Sequence, residues 1–157
     1  MGRVELVFNR DSLQFSLGVL VVPPSGGNLI NAEFLVDTGS NMSGLSEETA
    51  RKIGINPESL GTDVTVGVGG ITREPIYRGT ITAFLTPNLD KTLLHSPRVF
   101  FPITRKARKK VAGKVVAQAI QEFSVPNLIG MDASSSISGM PGVLHLDLRG
   151  GSGYIEW

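Results

Sequence analysis

The chain has 157 residues, no cysteine, two histidines, and a net charge of +1 from 15 basic and 14 acidic side chains. Disulfides and thiolate metal sites are thereby excluded, two imidazoles are too few for most metal centres, and the charge balance favours neither nucleic acid nor membrane as a partner. The length fits one domain spanning 1–157, and 19 glycines and nine prolines between short apolar runs predict many short strands joined by turns.

The opening "MGRVELVFNRD" alternates charged and apolar residues and lacks the continuous apolar core of a signal peptide. No run is long enough to span a bilayer, so the expectation is a cytoplasmic protein. Strands are predicted over 4–8, over 15–22 ending at Pro23-Pro24, and over 29–36 after the turn "SGGN". A short strand through Leu45 leads into "SEETARKIGI". There Ser46 is placed to cap a helix with Glu47 and Glu48 in its first turn, Arg51 and Lys52 in its last, and Gly54 as its left-handed stop. Residues 62–77 alternate on both sides of Gly67-Val68-Gly69-Gly70 and predict a β-hairpin with a glycine tip. Strands are then expected over 79–85 and 98–101.

Residues 105–123 carry apolar side chains at 107, 111, 112, 115, 116, 119, 120 and 123, the spacing of one helical face, and predict one long amphipathic helix. A short buried strand follows in "VPNLIGMD", then a brief helix in "ASSSIS" closed by Gly139, then a final hairpin of 143–148 and 153–157. Strands dominate, and the fold class is mostly β with short helices and one inserted helix.

The segment "FLVDTGSNMSGLS" carries the chemistry. Three apolar residues run into Asp37 with no basic residue before Arg51. A carboxylate at a buried strand end is costly unless it is hydrogen-bonded or its charge is shared. For the tripeptide Asp37-Thr38-Gly39 alone, an Asx-turn at a strand end and a catalytic acid both stay open.

Three stretches in order resemble the retropepsin-like aspartic proteases, the single-domain relatives of pepsin. "FLVDTGS" matches their apolar-apolar-Asp-Thr-Gly-Ser/Ala motif, "VGVGG" resembles their flap, and "NLIGMD" with Leu128, Ile129 and Gly130 resembles the apolar-apolar-Gly element before their C-terminal helix. The resemblance implies a closed β-barrel of the acid-protease type and an aspartic endopeptidase without metal or other cofactor. It further implies a homodimer acting on peptide or protein substrates, because the chain holds one Asp-Thr-Gly and the reaction needs two carboxylates. Asp37 is then the catalytic acid. Thr38 would bond backbone across the two-fold, Gly39 would let the loop pack against substrate, and Ser40 would donate to the outer oxygen of Asp37. Asn41 would contact substrate main chain, and Gly67, Val68, Gly69, Gly70 and Ile71 would close over the peptide. A non-catalytic homodimeric peptide-binding module on the same fold is the alternative.

Other signals carry less. "GVGG" lacks the Gly-Lys-Ser/Thr end of a phosphate loop, and no Gly-x-Ser-x-Gly elbow occurs. "RKARKK" is a solvated helix end by this reading, without the interleaved aromatic residues of a nucleic-acid platform. His145 is expected at the surface, and Asp132 is expected to cap the helix that follows it.

Overall fold

The computed structural model of the chain describes residues 2–67, 70–134 and 137–157. Strands β1 (Arg3–Glu5), β2 (Val7–Asn9), β3 (Gln14–Val21), β4 (Ile30–Val36) and β5 (Gly44–Ser46) lead into helix α1 (Glu47–Lys52) and a 3-10 turn at Pro57–Ser59. Then come β6 (Thr62–Gly67), β7 (Gly70–Pro75), β8 (Thr80–Leu85), β9 (Asp90–His95), β10 (Arg98–Phe100), β11 (Ile103–Val111) and β12 (Lys114–Phe123). The chain ends with β13 (Asn127–Ile129), helix α2 (Met131–Ser134), β14 (Val143–Asp147) and β15 (Ser152–Glu156). No helix among the described residues is long and apolar enough to cross a membrane.

The main sheet runs β10-β5-β13-β4-β3-β8-β9, with β2 added to β3. It curls around a core in which Val19, Val21, Phe34, Leu45, Leu85, Leu94, Val99 and Ile155 are fully shielded. Such burial is the dominant favourable term for a β-domain of this size. The sheet is a curled half-barrel rather than the closed barrel expected. Its end strands β10 and β9 do not pair with each other. The β9 edge is occupied near α2 instead, where Ser138 N–H donates to Lys91 O at 2.7 Å.

The predicted strand over 4–8 divides at Leu6, whose N–H donates to Gly153 O at 2.8 Å. β1 therefore joins the three-stranded sheet β1-β15-β14 while β2 joins β3. α1 begins as its sequence dictates: Ser46 Oγ accepts Thr49 N–H at 3.1 Å, and Gly54 takes φ +84° just beyond the end. β9 was not anticipated, because its adjacent Leu93 and Leu94 break the alternation that marks a half-buried strand. Its Thr92 is buried and donates to Ala133 O at 2.7 Å.

The long helix over 105–123 does not exist. β11 and β12 form an antiparallel hairpin from Ile103↔Phe123 to Val111↔Lys114, with a register shift between Arg105 and Lys106. Ala112 and Gly113 close it with φ +51° and +78°, the left-handed pair that a two-residue hairpin turn requires. A helix here would have carried Gly113 in its middle at a cost of about 1 kcal/mol and three β-branched valines with restricted rotamers. The apolar spacing is helical by coincidence. Local turn chemistry and β-propensity decide the outcome. Among the described residues the hairpin forms its own two-stranded sheet.

Candidate active site

β4 and β13 lie parallel with Phe34, Leu35 and Val36 opposite Asn127, Leu128 and Ile129. One residue further on, the Asp37 N–H donates to Ile129 O at 3.0 Å, so the end of β13 fixes where Asp37 stands. Asn127 sets the register from below, donating from Nδ2 to Glu33 O at 3.1 Å and accepting Ser46 N–H on Oδ1 at 2.8 Å.

Beyond Asp37 the chain turns back on itself. Asp37 Oδ1 accepts Gly39 N–H at 3.0 Å, and Ser40 N–H donates to Asp37 O at 3.4 Å, an Asx-turn. A Cβ on Gly39 would stand 3.4 Å from Asp37 Oδ1, close but without a clash. The carboxylate is half-buried, whereas Thr38, Gly39 and Asn41 are exposed.

The Ser40 hydroxyl is not directed at Asp37. It donates to Met42 O at 2.6 Å and accepts Met42 N–H at 3.3 Å. The expected donation to the outer oxygen of Asp37 is therefore corrected: the tight turn at 40–42 offers the hydroxyl a nearer acceptor in its own backbone.

Gly130 shows why that element ends in glycine. A Cβ there would lie 2.6 Å from Met42 C and O and 2.9 Å from Ser40 O, so only glycine lets the Asp37 loop cross over β13. The Gly130 N–H donates to Ser43 Oγ at 3.0 Å, and the fully buried Ser43 hydroxyl donates to Asp132 Oδ1 at 2.8 Å. Asp132 is thus not the cap of the helix after it. It lies inside α2 and accepts Ser43 Oγ, and its Oδ2 accepts His95 N–H at 3.3 Å. The free amides of α2 are met by the loop itself, Met131 N–H donating to Ser40 O at 2.9 Å and Asp132 N–H to Asn41 O at 3.2 Å.

The sequence-predicted residues Asp37, Thr38, Gly39, Ser40 and Asn41 are therefore brought together with Leu128, Ile129 and Gly130. The hairpin β6–β7 is antiparallel as expected, with Gly67 opposite Gly70 at its end. Gly70 has φ +107°, and Ile71 is largely exposed. Val68 and Gly69 lie outside the described residues. Ser43, Glu74 and Arg98 were not singled out from sequence. Arg98 Nη2 reaches Met42 Sδ at 3.5 Å while its Nη1 stands 3.8 Å from Glu74 Oε2. No motif signals them, because each acts through a partner distant in the chain.

A cavity of about 360 Å3 opens between α1 and the approach to β13, lined by Glu47, Phe100, Pro102 and Pro126 among others. A second of about 390 Å3 lies between β7 and the base of β11 beside Thr72, Phe101 and Ile103. Asp37 lines neither. Among the described residues no group of three or more His, Asp or Glu is placed to hold a metal ion.

A family model described as "Aspartyl protease" matches residues 25–133, which include the Asp37 loop, the β6–β7 hairpin and β13. The crystal structure of a retropepsin-like aspartic protease from Rickettsia conorii is similar to this chain. The TM-score is 0.57 at 17% identity, over 98% of this chain and 90% of that one. No curated protein matches the sequence.

Proposed function

Since the chain belongs to the aspartyl protease family, we propose that it is an aspartic endopeptidase whose active site forms between two copies, each contributing Asp37. The observation that carries this reading is the loop at the end of β4. It presents Asp37, half-buried, with its carboxylate accepting Gly39 N–H and its backbone N–H donating to the Ile129 carbonyl below, on a face where Thr38, Gly39 and Asn41 are exposed.

Peptide hydrolysis by the aspartic route needs a water that loses a proton to one carboxylate while a protonated second acid polarises the scissile carbonyl. Two carboxyl groups about 3 Å apart do not both ionise and so share one proton. The chain carries one Asp-Thr-Gly, so the second acid comes from the second copy. Thr38, exposed beside Asp37, bonds backbone across the two-fold, and Gly39 admits the substrate chain without a Cβ in its way. Asn41 contacts substrate main chain. The β6–β7 hairpin, with Gly67, Val68, Gly69, Gly70 and Ile71 at its end, closes over an extended peptide and excludes water. The strands β14 and β15 contribute to the contact between copies.

The test is Asp37→Asn. The variant keeps the fold, because Asn is nearly isosteric and its Oδ1 still accepts Gly39 N–H, and it cleaves no denatured protein. In a freely exchanging equal mixture with wild type, about half the dimers carry one carboxylate, so activity per wild-type chain falls to about half. Activity that follows the amount of wild-type chain, or a monomer that cleaves, overturns the two-copy site. A wild type that binds peptides without cleaving them identifies a binding module instead.

A further inference from the structure

Among the described residues, the side chains of Glu74 and Arg98 link the β6–β7 hairpin to the Asp37 loop. Glu74, near the end of β7, accepts Thr65 Oγ1 of β6 on Oε2 at 3.2 Å, and the same oxygen faces Arg98 Nη1 at 3.8 Å. Arg98 opens β10 and is anchored in the body: its N–H donates to Ser43 O at 3.2 Å, and it bridges Ile76. Its Nη2 meets Met42 Sδ at 3.5 Å. Met42 is clasped at both its N–H and its C=O by the Ser40 hydroxyl, and Ser40 N–H closes onto Asp37 O at 3.4 Å. The chain of contacts from Thr65 to Asp37 is continuous.

Within it the guanidinium is poorly satisfied. A thioether is a weak acceptor, the ion pair is at the long limit, and the buried Nε meets no acceptor among the described residues. The side chains of Arg98 and Glu74 are only 21% and 23% exposed, so solvent does little to compensate. A donor set left this loose carries a cost that a small movement of Glu74 toward β10 recovers by making a charge-assisted hydrogen bond. Glu74 lies where the hairpin leaves the body, so that movement is a rotation of the hairpin about its base.

We propose that Arg98 is a positioning residue that couples the β6–β7 hairpin to the Asp37 loop. Closure of the hairpin draws Glu74 onto the Arg98 fork, and Arg98 in turn fixes Met42 and, through Ser40, the backbone that carries Asp37. Arg98 touches no reacting atom. Its effect on turnover rests on the protease reading above, but the coupling is a property of the chain and is measurable without turnover.

The experiment compares wild type with Arg98→Met, Arg98→Lys, Glu74→Gln and the Glu74→Gln/Arg98→Met pair. It measures kcat and KM on a peptide long enough to pass beneath the hairpin, together with amide exchange in β6–β7 and in the Asp37 loop. Arg98→Met should lower kcat by on the order of 10- to 100-fold with a smaller change in KM, and should quicken exchange in both segments together. Arg98→Lys, which keeps the charge but loses the fork, should recover part of both effects. The double variant should be no worse than Arg98→Met alone, because both changes cut one link. A lower melting temperature with kcat, KM and hairpin exchange all unchanged overturns the inference, as do losses that simply add. If wild type cleaves nothing, the protease reading fails while the exchange measurements still decide the coupling. If Arg98→Met does not fold, Glu74→Gln alone carries the same comparison.

Discussion

The Asp37 loop and the β11–β12 hairpin are opposites in how they are held. Residues 37–43 have almost no regular structure, yet Asp37, Gly39, Ser40, Asn41, Met42 and Ser43 each make a hydrogen bond to the loop itself or to an element beneath it. The hairpin Ile103–Phe123 is a regular ladder apart from the register shift at Arg105/Lys106, but among the described residues its two strands pair only with each other. An isolated two-stranded ladder is marginal in water, whereas a loop laced to β13 and α2 opens only when those elements open. Precision at a site therefore comes from cross-links between elements. Regular local structure does not supply it.

That difference predicts the largest effect at Gly130. Gly130→Ala places a methyl 2.6 Å from the Met42 backbone, which has no room to retreat because Ser40 and Ser43 fix it from both sides. The expected loss is about 3 kcal/mol, near the top of the overpacking range, with activity abolished even below the melting transition. Urea denaturation with the midpoint compared at constant slope measures it. A variant as stable and active as wild type would show that the loop does not depend on the close crossing.

Ser40→Ala sharpens the comparison inside the loop. Losing the hydroxyl that clasps Met42 costs about 1 kcal/mol. The pH profile of cleavage should not move, because the hydroxyl bonds the Met42 carbonyl and not the Asp37 carboxylate. A shifted profile would show that the hydroxyl turns to the carboxylate when the second copy is in place.

The same contrast governs what was legible in the sequence. The Asp37 loop was readable because its chemistry is local: an apolar strand, an Asx-turn at Asp37, a glycine two residues on, and a second glycine-ended element at Ile129-Gly130. The cap at Ser46, the stop at Gly54 and the glycine-tipped hairpin β6–β7 are local in the same sense. Ser43, Glu74 and Arg98 were invisible because their partners lie far along the chain, Asp132 for Ser43 and Met42 for Arg98. Ser40 was assigned a partner one side chain away from the nearer one it takes. The hairpin over 105–123 was misread for a different reason. Its apolar positions fit a helical face, and the turn that overrules them is two residues, Ala112-Gly113, which a periodicity window averages away.

The smallest effect is expected at that turn. Ala112 holds φ +51°, a conformation that costs an alanine about 1 kcal/mol and that asparagine tolerates through its short polar side chain. Asn-Gly is the preferred pair for a two-residue hairpin turn, so Ala112→Asn should stabilise β11–β12 by about 0.5 to 1 kcal/mol. Because the hairpin pairs only with itself among the described residues, the gain should stay local. Amide exchange should slow a few-fold along β11 and β12, while the urea midpoint and exchange in the Asp37 loop stay where they were. Gly113→Ala, at φ +78°, should do the reverse with the same confinement. A urea midpoint that moves with either substitution would mean that the hairpin is cross-linked to the body as firmly as the Asp37 loop is, and the contrast between the two regions would fall.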